Sequence, residues 1–326
     1  MSENKSLNNL IGKYTFKFFK NNAKLDNKQQ VLIITDDKID ANVTGYLRKA
    51  AAKITGKIDI YILSTPPGSN FEPPLDLKKK VQNSDVILAP TSSSLFHTEL
   101  IREACEKGAK FFAMTGATLE TLYKGAATAD FIGLEPGVIE KANVLTRSNS
   151  IKITTKRGTN FSANISGRLA NAETGIGKKG KPATFPDIEI NTSIIENSGN
   201  GKIIIDGSIG PIGVLQQPVS LTVENGKIVE IKGGTEAEKL KSLITTLNDE
   251  NMYQIAEIGI GLNSNGSIRG VIIEDESTLG TAHIGIGNNI FMGGKNRAKS
   301  HIDLVFKDPK IYLDGKLFID GKKHLF

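Results

Sequence analysis

The chain has 326 residues, 39% of them hydrophobic and 23% charged, the make-up of a globular protein with room for roughly two domains. Its 41 Lys and Arg against 35 Asp and Glu leave a charge of +6 spread along the chain, with no basic stripe interleaved with aromatics, which argues against a nucleic-acid surface. One cysteine, Cys105, excludes internal disulfides and cysteine-built zinc clusters, and no apolar run approaches the roughly 18 residues that a membrane span needs.

The opening MSENKSLNNL has no apolar signal core, so a cytoplasmic protein is expected, and a helix over about 7–21 follows it. The apolar runs VLIIT (31–35), IDIYIL (58–63), DVILA (85–89) and AKFFAM (109–114) read as buried strands. Between them, 41–53, 76–84 and 95–108 read as helices, the last closed by Gly108. Strands alternating with helices of this length predict a parallel sheet covered on both faces, a Rossmann-like α/β domain over 1–145. TSSSLFHTEL (91–100) leaves a strand and opens a helix, where Ser93 or Ser94 serves as a cap. Backbone amides there could also receive an anion. Cys105 reads as a small core residue of that helix, and His97 lies in its first turn.

Near residue 145 the pattern becomes short alternating stretches separated by Gly, Asn and Ser. ENG and LDGK, each between apolar alternations, predict tight hairpins, and one amphipathic helix is expected over 236–249. GIGKKG (175–180) fits G-x-G-x-x-G but follows no strand and opens no helix, so a flexible loop is expected, one that could overhang a metal site. Residues 146–326 are therefore expected to form a mostly antiparallel β-rich domain carrying that site, with His324 solvated at the chain end.

Four stretches in this half place polar groups on one strand face. In IAEIGIGLN (255–263), Ala256, Ile258, Ile260 and Leu262 alternate with Ile255, Glu257, Gly259 and Gly261. TAHIGIGNN (281–289) sets His283, Gly285 and Gly287 opposite Ala282, Ile284 and Ile286. SHIDLVF (300–306) gives His301 and Asp303 one face, and FPDIEIN (185–191) gives Asp187 and Glu189 one face. Glycine inside a strand marks a place where a ligand or another backbone comes close. Carboxylates and imidazoles beside it are hard-to-borderline metal ligands. Glu189, Glu257, His283, His301 and Asp303 suffice for one divalent ion with an open position, or for two ions sharing a water. No HExxH, GxSxG or Walker A pattern occurs.

The blocks AEIGIGLN, EDESTLGTAHIGIGNN, GGKNRAKSHIDLVF and FPDIEI resemble those of the aminopeptidase T family of metallo-aminopeptidases. The resemblance is strongest over about 150–310. It carries metal-site carboxylates onto Glu189, through P-x-x-E, and onto Glu257; a metal histidine onto His283, through G-T-x-H; and further ligands onto His301 and Asp303. It implies two divalent ions (zinc, cobalt or manganese) in a homodimer that removes N-terminal residues from peptides or cleaves small amides, with Glu189 as the base for a metal-activated water. Ile290 stands where that family has a tyrosine. A related branch, similar to mononuclear iron dioxygenases that open dihydroxypyridine rings, keeps H-x-D but places histidine where this chain has Glu257. Glu257 with His283 favours the aminopeptidase-like hydrolase; the ring-opening dioxygenase and a non-catalytic metal- or small-molecule-binding relative are the alternatives.

Overall fold

Five parallel strands build the first sheet of the computed structural model, which describes residues 2–64, 74–96 and 98–324. Their order is Ile58–Leu63, Val31–Asp36, Val86–Ala89, Lys110–Ala113 and Ala183–Thr184. Val31–Asp36 and Val86–Ala89 are buried along their whole lengths, as the unbroken apolar runs require of a sheet covered on both faces. Helix Ala41–Ala51 begins where the Asp40 carboxylate accepts the amide of Asn42 at 2.8 Å, and it buries Val43, Leu47, Ala50 and Ala51. Helix Ser2–Lys17 runs into a π turn over Phe18–Asn22, whose Phe18 and Phe19 are buried. Cys105 is buried in the core formed by Leu32, Ile34, Ile87, Ile101 and Phe111.

Two expectations for this part are corrected. The helix expected from 95 begins only at Glu99, because Ser94 Oγ accepts from Phe96 N, and Ser92 donates to Asp36 through both its amide and its hydroxyl. These serines shape the turn and cap nothing; His97 lies outside the described residues. GIGKKG is a loop only in its second half: Gly175, Ile176 and Gly177 are buried, whereas Lys178, Lys179 and Gly180 are exposed. A Cβ at Gly177 would sit 2.9 Å from Phe112 Cε2, with Cζ of the same ring closer still. The amide of Gly177 donates to Asn22 O.

The chain divides into two compact units, one of 1–135 with 174–187 and one of 136–173 with 188–326. A single boundary near 145 does not describe this division: the chain leaves the first unit inside helix Phe131–Arg147, which the alternation of the first half did not reveal, and returns for one short strand.

The second unit is built on two antiparallel sheets. The eight-stranded one runs Lys227–Lys232, Val219–Glu224, Asn200–Ile205, Asn160–Asn164, Ser150–Thr154, Lys310–Leu313, Lys316–Asp320 and Lys323–His324. Both predicted hairpins are present: Asn225 and Gly226 have φ of 49° and 76°, and Asp314 and Gly315 have 48° and 79°, the paired left-handed conformation of a type I′ turn. Helix Thr235–Leu247 buries Ala237, Leu240 and Ile244. His324, expected in solvent, is half-buried, and burial with Lys141 nearby lowers its pKa. The seven-stranded sheet has the order Gly213–Val214, Ser208–Ile209, His301–Lys307, Thr281–Gly287, Ile255–Gly261, Glu189–Ser193 and Asn171–Glu173. Ile258, Ile260, Ile284, Ile286, Leu304 and Phe306 pack its apolar face and are buried. The fold is thus α/β, a parallel-sheet part and an antiparallel β-rich part. Among the described residues no helix is long and apolar enough to cross a membrane.

Candidate metal centre

The register of the seven-stranded sheet sets each of the five candidate side chains against a glycine of the neighbouring strand. Glu189 lies opposite Gly261, His283 opposite Gly259, Glu257 and Asp303 opposite Gly285 from either side, and His301 opposite Gly287. Directly opposed residues share a sheet face and stand about 4.5–5.5 Å apart at Cβ, too close for a ring and a second side chain. A Cβ on Gly259 would lie 2.7 Å from His283 Nδ1 and closer still to two other ring atoms. One on Gly285 would lie 2.5 Å from His301 Cε1 and 2.8 Å from Glu257 Cβ. Gly259 and Gly285 therefore clear space for imidazoles and a carboxylate of the adjacent strands, whereas a Cβ at Gly287 would meet Ser300 O and the Met252 side chain. Gly261 instead admits backbone, with Ser277 C 2.7 Å from where a Cβ would stand.

The cleared face is buried. Glu189, Glu257 and His283 are at most 6% exposed, while the His301 and Asp303 side chains keep 16% and 21% of their surface. His301 Nδ1 lies 2.7 Å from Asn288 O, and a carbonyl only accepts, so the proton sits on Nδ1. Nε2 then points at Glu257 Oε2, 2.9 Å away, and Asp303 Oδ1, 3.0 Å away. Three electron-pair donors converge there, and a neutral imidazole would turn a lone pair toward two carboxylates. Burial works against a charged ring, yet Asp303 and Glu257 outweigh it and hold the His301 pKa well above its ordinary value. A divalent cation in place of that proton satisfies the same three atoms.

A second group lies deeper. His283 Nδ1 is 3.6 Å from Glu189 Oε2, and His283 Nε2 is 3.6 Å from Glu257 Oε1. Glu189 Oε2 and His283 Nδ1 are buried and have no hydrogen-bond partner. Buried polar atoms are almost always paired, so two facing orphans call for an occupant between them. Burial, with the Glu257 charge adding to it, pushes the Glu189 carboxyl up to about 8 despite the attraction of His283. The His283 ring, which burial alone would lower, is raised to about 9 by Glu189 and Glu257. Glu257 is also opposed by burial, but His283 and His301 hold it far below the usual carboxylate range.

Ligand atoms within 4.8 Å of one another form three groups confined to this unit: Glu189, Glu257 and His283; Glu257, His301 and Asp303; and Glu276, His283 and Asp303. All five sequence-derived candidates are thereby brought together, with Glu257 common to two groups. Each group holds one imidazole and two carboxylates, an oxygen-rich set suited to a hard or borderline divalent cation, so the site fits a metal. Glu276 was missed. It follows Glu274 and Asp275 in the short helix Ile272–Ser277, and Asp275 is engaged instead by the amides of Arg269 and Gly270. The acidic run just ahead of GTAHIG was the available signal, but a run does not say which member turns inward.

The sequence pattern of the family described as NicX, 2,5-dihydroxypyridine 5,6-dioxygenase, matches residues 15–323. The curated 2,5-dihydroxypyridine 5,6-dioxygenase of Pseudomonas putida is 27% identical over 192 residues, covering 54% of this chain. In that match the chain spans about half, 54%, of the curated relative's length. The solved structure of a 2,5-dihydroxypyridine dioxygenase from Pseudomonas putida KT2440 superposes with a TM-score of 0.84 at 20% identity, over 98% of this chain and 97% of that one. Wild-type AmpT from Thermus thermophilus gives 0.72 at 14% identity, over 98% and 99%. The two solved structures speak for the fold; the family match overturns the aminopeptidase assignment and the hydrolase and protease reading attached to it. The motif blocks behind that assignment are the glycine-cleared ligand strands themselves, and they describe a metal cradle rather than the reaction run on it. The chain belongs to the 2,5-dihydroxypyridine 5,6-dioxygenase family.

Proposed function

We propose that this chain is a metal-dependent dioxygenase that opens a dihydroxylated aromatic ring, a dihydroxypyridine first among the substrates to try. Family membership supplies the reaction class. The observation that carries the reading onto this chain is the convergence of His301 Nε2, Asp303 Oδ1 and Glu257 Oε2 about a single point at the partly exposed end of the cleared face.

Glu257, His301 and Asp303 would hold iron, and Glu189, Glu257 and His283 a second divalent cation, with Glu257 serving both. Iron(II) supplies the one-electron chemistry through which dioxygen reacts with an aromatic ring, which amino-acid side chains lack. The protein's part is placement. The Asn288 carbonyl fixes the His301 ring so that Nε2 keeps its direction. His301 and Asp303 are the donors with exposed surface, so a planar ring approaches from their side. Behind them the opposite, apolar face of the same strands is buried, with Ile284, Ile286 and Leu304 in the core. A homodimer belongs to the same proposal, and light scattering that returned only monomer would remove it.

The test is anaerobic reconstitution with iron(II), followed by oxygen uptake with 2,5-dihydroxypyridine, catechol and hydroquinone. One dioxygen consumed per ring absorbance lost supports the reading. A protein that binds iron yet consumes no oxygen with any of these rings overturns it.

A further inference from the structure

Asn191 stands two residues beyond Glu189 on the same strand face, opposite Gly259, the glycine that also admits the His283 ring. It is 7% exposed. Its Nδ2 donates to Glu189 Oε1 at 2.7 Å, and its Oδ1 accepts from Asn171 Nδ2 at 3.0 Å. With a cation holding Glu189 as a carboxylate, which only accepts, the directions are self-consistent: Asn191 turns its amino group to Glu189, which leaves its oxygen for Asn171. Asn171 lies half-buried on the edge strand Asn171–Glu173.

The consequence falls on the other oxygen of Glu189. Oε1 is occupied by the amide, while Oε2 is buried, has no hydrogen-bond partner and faces the equally unpartnered His283 Nδ1 at 3.6 Å. Without the amide, the carboxylate could rotate about its terminal torsion, which is soft in glutamate, and present both oxygens or neither. We infer that Asn191, backed by Asn171, is a positioning residue that holds Glu189 so that it offers one oxygen, Oε2, to a cation shared with His283 and Glu257. Groups that orient metal ligands commonly contribute about 10–100-fold in metal affinity. The inference rests on the metal-site part of the proposed function and not on the oxygenase part.

The test uses the full chain stripped with a chelator and titrated with manganese(II) by calorimetry. Thermal unfolding in chelator serves as a separate readout of the fold. Asn191→Ala is expected to weaken one manganese equivalent by about 10–100-fold and to spare the other; Asn171→Ala should weaken the same equivalent by several-fold. Wild-type affinity at both equivalents in folded Asn191→Ala overturns the inference. So does a lower metal-free melting temperature with unchanged metal affinity, which would mark a merely structural amide. If Asn191→Ala does not fold, Asn171→Ala decides, and unchanged affinity there is equally fatal. A wild-type protein that takes up a single equivalent overturns the inner cation and the inference with it. Manganese behaviour as expected, but no ring opening with iron, sinks the oxygenase reading alone.

Discussion

Gly259→Ala is the sharpest perturbation of this site, because it adds one methyl group and no charge. Gly259 has an ordinary extended backbone, so the substitution meets no conformational barrier, and reduced freedom in the unfolded chain favours alanine by about 0.5–1 kcal/mol. Against this, the methyl would stand 2.7 Å from His283 Nδ1, with two further ring atoms nearer still. Comfortable carbon contacts lie near 3.5–4.0 Å, so the ring must move by on the order of 1 Å in a buried layer. Overpacking of that kind costs about 1–3 kcal/mol, leaving a net loss of about 0–2.5 kcal/mol, or a melting temperature lower by up to about 10 °C. The displaced ring also leaves ligand geometry, which tolerates only about 0.2 Å, so affinity for manganese(II) or iron(II) should fall at least tenfold. Thermal unfolding in chelator and a metal titration give the two numbers. A variant as stable as wild type that binds metal equally well would refute the claim that the strand glycine exists to seat His283.

The same glycine-to-alanine change at Gly45 should act with opposite sign: the position lies in helix Ala41–Ala51 with open space around a Cβ, so stability should rise by about 0.5–1 kcal/mol in thermal unfolding. Saturating divalent metal should stabilise the native chain by about 2.7 kcal/mol at a hundredfold excess over its dissociation constant, seen as a melting shift that a chelator reverses. For the metal-free protein the pH dependence has a definite direction. His283, raised from 6.5 to about 9, contributes stability that is complete below pH 6.5 and lost as pH climbs through 9. Glu189, raised from 4.5 to about 8, acts in the same sense over its own window. Urea midpoints in chelator should therefore fall from pH 6.5 to 9, while the metal-induced gain grows because bound ligands must shed those protons; a rising midpoint in chelator contradicts the assignment. Cys105, whose thiol burial pushes up to about 11, should resist iodoacetamide at neutral pH until urea unfolds the chain, as mass spectrometry would report.

Much of the architecture is written in local pattern. Apolar runs give the parallel strands at 31–36, 58–63, 86–89 and 110–113, and the Asn-Gly and Asp-Gly pairs give the two hairpins, because both depend on neighbours within a few residues. The run at 58–63, expected to be buried, instead forms the sheet edge with Ile60 and Ile62 exposed. The strand alternation likewise put Glu257 and His283 on faces interrupted by glycine, and His301 and Asp303 together on one face. The return of 174–187 to the first unit was hidden, since a strand of two residues has no period to read. Ser93 and Ser94 looked like caps because sequence shows a hydroxyl near a helix but not which group it meets, and Ser94 Oγ accepts from the amide of Phe96, ahead of the helix.

The site divides in the same way. The sequence by itself determined which residue types could bind a cation and that the strands bearing them had space cleared beside them. Register and topology decided the rest. They set His283 against Gly259, shared Glu257 between two ligand groups, turned Glu276 inward from a helix, and hung Glu189 from Asn191 and Asn171. They also explain why motif resemblance named the wrong chemistry. A metal cradle is specified by side chains two residues apart on paired strands, a local feature that different reactions can share. The reaction belongs to the whole ligand shell and its surroundings, which exist only once strands distant in sequence lie side by side.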